Sequence, residues 1–217
     1  MAIQKTEAVL LRKRDLRETS LALTFFTRDF GKVQGVLKGA RGTRARADIN
    51  PLYFSIDQIV FYENRKKDFF IISQCEPQQI FLNILKDWER AGVAYYLLEL
   101  VDVFTEPGVK LEELFICLNG CLSALDAKKE PLSIARFFEV RFLMSLGLWP
   151  GCRRYEGVIT KGAMSTLNRF ETIDIKSALK IKVDTSIGEE IRKITGKILL
   201  ENLDRPLKTT SMFSFLQ

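Results

Sequence analysis

The chain reads as an α+β protein in which a small β-barrel comes first and an all-helical part follows. Three observations predict this. Residues 1–76 hold short runs of β-favouring residues separated by turn signals. From residue 77 onward the apolar residues switch to helical spacing. The 217 residues are 47% hydrophobic, which is enough material for packed cores. The expected domains are 1–76 and 77–217, with an irregular segment near 151–170.

The barrel strands follow in order. "EAVLLRKR" and "SLALTFFT" are two strands joined by the turn "DLRE". "TRDFGK" is a hairpin connection in which Gly31 is free to take positive φ. In "KVQGVLKGA" the alternation turns Val33 and Leu37 inward and Lys32, Gln34 and Lys38 outward. Gly35 and Gly39 share the inward side, as suits a sharply bent strand. "LYFSIDQIVFY", a polar turn "ENRKKD" and "FFIISQCE" complete five strands, the number of a small barrel.

The helices come next. One stretch runs from Pro77 to near Arg90 and a second from Ala91 to Phe104, with a break at residues 106–108. Leu111, Leu114, Phe115, Leu118, Cys121, Leu122 and Leu125 form the stripe of a third helix. "PLSIARFFEVRFLMSLG" is apolar nearly all round and belongs at the centre of a bundle, with Pro131 in its first turn. Residues 151–170 read as a loop, and a last helix runs from about Ile187 to Asn202. The closing "RPLKTTSMFSFLQ" packs its phenylalanines back on the bundle.

Charge placement narrows the function. Residues 1–50 hold 11 Lys and Arg against 5 Asp and Glu, and the rest of the chain holds 22 of each. The whole excess of +6 therefore sits in the first quarter, which points to nucleic acid or another anionic partner. Four of these cations, Lys38, Arg41, Arg44 and Arg46, lie in "VLKGARGTRARAD" among small residues. A glycine-containing loop of this kind suits phosphate contact, which positions a strand without reading its sequence. Arg12, Lys13, Arg14 and Arg17 cluster after the first strand, and Lys32 joins Lys38 on the third. Tyr53, Phe54, Phe61, Tyr62, Phe69 and Phe70 supply rings. Most of them fill the core, leaving one or two to stack on bases of a single strand.

Other chemistries lack their residues. The chain has no histidine, no Gly-x-Ser-x-Gly elbow and no phosphate-loop glycine ahead of its two Gly-Lys pairs. The pairs Glu112–Glu113 and Glu189–Glu190 read as solvated helix faces. No enzyme is expected, with a motif-free metal nuclease as the remaining catalytic alternative. Cys75, Cys117, Cys121 and Cys152 form no Cys-x-x-Cys pair, so neither a structural zinc nor another cofactor is expected. Cys117 and Cys121 read as small core residues. No apolar run reaches the roughly 18 residues of a membrane span, and the start lacks a signal-peptide pattern. A cytoplasmic, nucleoid-associated location is the expectation.

"TEAVLLRKRDLRETSLALTFFTRDFGKVQGVLKGARGTRAR" resembles the amino-terminal signature of the RecO family of bacterial recombination mediators. "FLMSLGLWP" and "RPLKTTSMFSFL" are similar to later segments of that family. The resemblance implies an OB-fold followed by a helical domain. It implies binding of single- and double-stranded DNA, annealing of complementary strands, and help for RecA loading together with RecR. It also implies docking of the acidic tail of single-stranded DNA-binding protein, and it raises RecF as a further partner. Lys38, Gly39 and Arg41 match the family's "KGAR" and Lys32 its hairpin lysine. These are DNA contacts by resemblance, with Arg44, Arg46 and Arg14 in support. Tail docking would fall to Arg136, Phe137 and Arg141, whose other reading is internal pairing, for example to Glu139. Many members carry a four-cysteine zinc module after the proline matching Pro150, where only Cys152 stands here, so zinc is inferred lost. A generic OB-fold RNA-binding protein and a protein adaptor are the alternatives.

Overall fold

The computed structural model describes residues 3–40, 51–62, 69–203, 205–213 and 216. It divides into two compact units, one of residues 1–82 with 98–115 and one of residues 83–97 with 116–217.

In the first unit, five strands close into a barrel. They are β1 (Ile3–Leu16), β2 (Ser20–Thr27), β3 (Gly31–Leu37), β4 (Ser55–Tyr62) and β5 (Phe70–Ile80), joined in the order β1-β2-β3-β5-β4. β4 returns antiparallel to β1, and β3 and β5 pair in parallel. This is the OB-fold arrangement that the sequence and its family resemblance predict. Period-two alternation fixes the interior: Leu10, Leu23, Phe25, Val33, Leu37, Ile59, Phe61 and Ile72 form its core. Each such side chain, fully buried, contributes about 1.5–3 kcal/mol. Phe54 and Phe61 are core rings, each 1% exposed.

Three details differ from the sequence reading. Lys32 does not project outward but is buried, and Gly39 lies beyond β3, where φ +66° turns the chain. No helix starts at Pro77, because β5 continues to Ile80. Pro77 stands opposite Asp57 at a bulge, a place where a sheet tolerates a residue without an N–H. A 3₁₀ turn at Ile84–Lys86 follows, and the two expected helices begin later as one, α1 (Trp88–Phe104).

From Leu98 onward α1 belongs to the barrel unit. The chain then runs along the start of β3, where Pro107 forms a parallel bridge with Lys32 and the Gly108 N–H donates to the Lys32 carbonyl at 3.2 Å. Gly31, at φ +62°, permits this approach: a Cβ there would lie 2.0 Å from the Val109 carbonyl oxygen. Arg28 bridges Glu7 and Glu112, each at 3.1 Å, beside this segment.

The second unit is helical: the start of α1, most of α2 (Glu112–Asp126), then α3 (Pro131–Ser145), α4 (Lys161–Thr172), α5 (Ile175–Ala178), α6 (Thr185–Glu201) and α7 (Lys208–Met212). α3 is central and buried on nearly every side, packing against α4 and α6. Pro131 opens it, and the Glu130 carboxylate caps it by accepting from the Leu132 and Ser133 N–H groups. Cys117 and Cys121 are core residues, as expected. The segment 151–170 is not a loop. It holds a 3₁₀ turn, Cys152–Tyr155, and then α4, which buries Ala163, Leu167 and Phe170 along one stripe. The Thr160 hydroxyl caps α4 by accepting from the Ala163 N–H. Phe213 packs on Trp88 with ring centroids 4.7 Å apart, while Phe215 lies outside the described residues.

Candidate nucleic-acid interface

Strand register builds one outward row across the barrel. Arg14 pairs with Ala22, Ala22 with Val36, and Val36 with Ile71. Lys38 lies two residues beyond Val36, and Phe69 two residues before Ile71. Both lie just outside the strands, and both share a concavity with Val36 and Ile71 of this row. The turn between β1 and β2, with Arg17 and Glu18, borders the same place. Leu16, Arg17 and Glu18 at that turn, with Val36, Lys38, Phe69 and Ile71, line an open concavity of about 920 Å³; Arg14 stands on the same row outside it.

The surface of that concavity is chemically mixed. Phe69 is 46% exposed, whereas Phe70 next to it turns inward and packs edge-on against Phe61 at 5.0 Å. Arg14 and Lys38 are exposed and make no ion pair among the described residues. An exposed ring beside uncommitted cations is what a flexible polyanion with stackable bases requires. The exposed aromatic was legible only once strand register was known, because the pair Phe69–Phe70 must place one ring on each face.

Three cations assigned to the same surface are committed elsewhere. Arg12 pairs with the Asp102 carboxylate, donating from Nε at 3.0 Å and also from Nη2. Lys32 is 8% exposed, and its Nζ donates to the Asp102 carbonyl at 2.9 Å. Burial pushes the Lys32 ammonium below its ordinary range, with Asp102 and then Glu106 opposing that shift. The expected outward Lys32 is thus corrected: its charge is held inside the barrel unit by the end of α1. Lys13 donates to the Pro51 carbonyl at 3.2 Å. Arg41, Arg44 and Arg46 lie outside the described residues.

In the helical unit, Arg136, Phe137 and Arg141 all have internal partners. Arg136 lies 3.3 Å from Glu139, and both residues are buried. Phe137 is 1% exposed and meets Phe170 edge-on at 5.4 Å. Arg141 donates to the Ile173 carbonyl and sits over the Phe137 ring, 5.7 Å from its centroid.

The residues around Cys152, where the resemblance places a cysteine module, do not fit a zinc ion. Cys152 is the one cysteine there, and its N–H donates to Glu171, which also accepts from the Trp149 indole. Among the described residues no three His, Cys, Asp or Glu side chains converge as metal ligands. A carboxylate gathers this segment, with Trp149 and Tyr155 packed together at 5.9 Å. Among the same residues, no helix is long and apolar enough to cross a membrane.

Comparison with known proteins agrees with this architecture. Residues 1–81 match the family model Recombination protein O N terminal, and residues 85–153 match Recombination protein O C terminal. The chain is 25% identical to DNA repair protein RecO of Moorella thermoacetica, over 97% of this chain and 90% of the relative. It is 29% identical to the RecO protein of Alkaliphilus metalliredigens, over 93% of this chain and 94% of the relative. A third relative, from Pelotomaculum thermopropionicum, is 31% identical over 71% of this chain and 59% of its own length. With both halves matched in order on a barrel-then-helix fold, this chain belongs to the recombination protein O family.

Proposed function

We propose that this chain is a DNA-repair protein that binds single-stranded DNA on the outer face of its barrel and anneals complementary strands. The observation that carries this reading is the concavity that brings Lys38 and Phe69 together, with Arg14 exposed on the same strand row. Cations hold the phosphates, and the exposed ring gives a base a surface on which to stack. Arg41, Arg44 and Arg46 follow Lys38 directly and extend the basic stretch. Binding of this kind is salt-sensitive and largely indifferent to sequence. The chain promotes pairing without covalent chemistry, since bringing two strands together requires only that their mutual repulsion be screened.

Family membership supports the wider role. The chain acts as a recombination mediator that works with RecR to help RecA load onto DNA coated by single-stranded DNA-binding protein. RecR, RecF and the acidic tail of the coating protein are its proposed protein partners, and the nucleoid its place of action. No residue is assigned to the tail, because Arg136, Phe137 and Arg141 are engaged internally.

The test is annealing of two complementary labelled oligonucleotides across a salt series, with wild type and Lys38→Glu/Arg41→Glu. The expected result is acceleration by wild type that fades with salt and is lost in the variant. Tight binding without annealing would reduce the reading to a general OB-fold binder. Stronger binding of the matched RNA would redirect it to an RNA role.

A further inference from the structure

We propose that the helical unit carries a second contact for a polynucleotide backbone, built from Lys128, Lys129, Lys180 and Lys182. The four lysines line one concavity of about 290 Å³. They come from two stretches far apart in sequence, the turn after α2 and the stretch after α5.

The fold holds those stretches side by side. Lys128 and Lys129 close α2 by donating their N–H groups to the Leu125 and Ala124 carbonyls, each at 3.0 Å. Lys128 adopts φ +60°, a left-handed position where glycine or asparagine is the usual occupant. On the other side, the Lys180 and Ile181 N–H groups turn back onto α5, and the Val183 N–H donates to the Ser133 hydroxyl at 3.0 Å. That bond ties the second stretch to the first turn of α3, next to Glu130.

Positive charge is in excess in this concavity, four lysines against the one carboxylate of Glu130. All four lysines are exposed, and none makes an ion pair among the described residues. Glu130, the acidic residue of the lining, spends its carboxylate on the Leu132 and Ser133 N–H groups. In the adjoining groove Glu189 is bound to Arg192 at 2.9 Å. The end of α2 offers partial negative charge but no counter-ion. Four ammonium groups around so small a space repel one another and concentrate anions there.

The lining favours a phosphate backbone over an acidic peptide. A peptide of that kind anchors apolar side chains as well as charges. Here Ile134 and Ala178 are buried and Leu179 and Ile181 half-buried, so no exposed apolar wall remains. Lysine is a hydrated point charge, suited to phosphate without base-specific readout. A second phosphate site also gives annealing a physical basis, since two strands must be held at once. The inference rests on the proposed DNA binding.

The test uses the full chain and a labelled oligothymidylate, followed by fluorescence anisotropy over a salt series. In Lys128→Ser/Lys129→Ser/Lys180→Ser/Lys182→Ser, the slope of log affinity against log salt falls by about 2 to 3, at about 0.7 per single-strand phosphate contact. Annealing slows alongside, while the four Lys→Arg replacements keep the wild-type slope. An unchanged slope and annealing rate in the serine variant, with Lys38→Glu still impaired, would overturn this site and leave the barrel reading intact. Absence of binding by wild type at low salt would overturn both. Loss of an aspartate-rich peptide from the serine variant, with DNA binding intact, would overturn the proposal in favour of a protein partner.

Discussion

Tyr96 of α1 donates its phenolic hydrogen to Glu139 of α3 across 2.8 Å, with both residues buried. The same carboxylate accepts from the Thr195 hydroxyl and faces Arg136 at 3.3 Å. One buried charge pair thus organises three helices, and its value depends on completeness. Glu139→Ala leaves Arg136 buried without a counter-charge and is expected to lower stability by about 3–5 kcal/mol. Tyr96→Phe is expected to lower it by about 1 kcal/mol. Burial, and next the Glu139 charge, hold the Tyr96 phenol well above its ordinary range. The folded value is the higher one, so this stabilisation is complete below about pH 10 and is lost as pH rises further. Urea unfolding of both variants, repeated at alkaline pH, checks this. A Glu139→Ala protein as stable as wild type would refute the account.

The barrel unit makes a sharper steric prediction. Gly31 and Gly39 both have positive φ, but of the two only Gly31 has a neighbour within 4 Å of where a Cβ would stand, the Val109 backbone. Gly39→Ala is expected to lose about 1 kcal/mol from the left-handed backbone alone. Gly31→Ala adds a collision that local relaxation relieves only in part, for a total loss of about 2–4 kcal/mol. Thermal melts of the two variants compared side by side decide it, and equal losses would contradict the strap along β3.

Phe69 and Lys38 should fail in different ways. Phe69→Ala removes a stacking surface worth about 1–3 kcal/mol, so affinity for single-stranded DNA falls by roughly 5- to 150-fold with little change in salt slope. Lys38→Ala removes a phosphate contact and lowers the slope by about 0.7. Anisotropy titrations at several salt concentrations separate the two. A Phe69→Ala variant whose loss vanishes at high salt would show that the ring does not stack.

Asp57 offers a pH prediction inside the barrel. It is 1% exposed, its Oδ1 has no hydrogen-bond partner among the described residues, and its Oδ2 accepts from the Cys75 thiol at 3.4 Å. Burial raises its carboxyl above the ordinary value, with the Ser55 and Cys75 hydrogen bonds pulling it back in part. The acid form is therefore favoured by folding. The stability it contributes is fully present below about pH 4 and is lost as pH rises through the folded value. Asp57→Asn should flatten this dependence and leave the protein at least as stable near neutrality. Unfolding curves from acid to neutral pH read the difference, and a variant with the wild-type pH dependence would exclude Asp57 as its source.

Much of the architecture was written in local patterns. Val33 and Leu37 alternate as a half-buried strand must, and the α3 segment is too apolar to lie anywhere but inside. What the sequence hid depends on distant partners. Nothing near Lys32 announces that Asp102 will take its ammonium inward, seventy residues along the chain. Pro77 read as the opening of a helical stretch, whereas the structure keeps it in β5 at a bulge opposite Asp57. The stripe Ala163, Leu167 and Phe170 was present, but the segment around it is poorer in pattern and read as a loop. In the site, Lys38 follows from a basic loop, whereas choosing Phe69 over Phe70 needs the β3–β5 register. The four lysines of the helical unit vanish in a net charge of zero, because only folding separates them from their acidic neighbours in sequence.

The segment that bridges Pro107 to Lys32 also sets an order of events at the ribosome. All five strands can emerge and pair before α1 exists, yet Lys32 and Arg12 receive their Asp102 partner only after the end of α1 has been synthesised. Until then the nascent barrel holds a lysine and an arginine with nothing to meet them, and the first edge of β3 stands open. The barrel is therefore expected to mature late, in a step that waits on a helix. A fragment released at residue 82 should resemble that earlier stage: strands formed, β3 uncovered, and prone to pair its free edge with another chain.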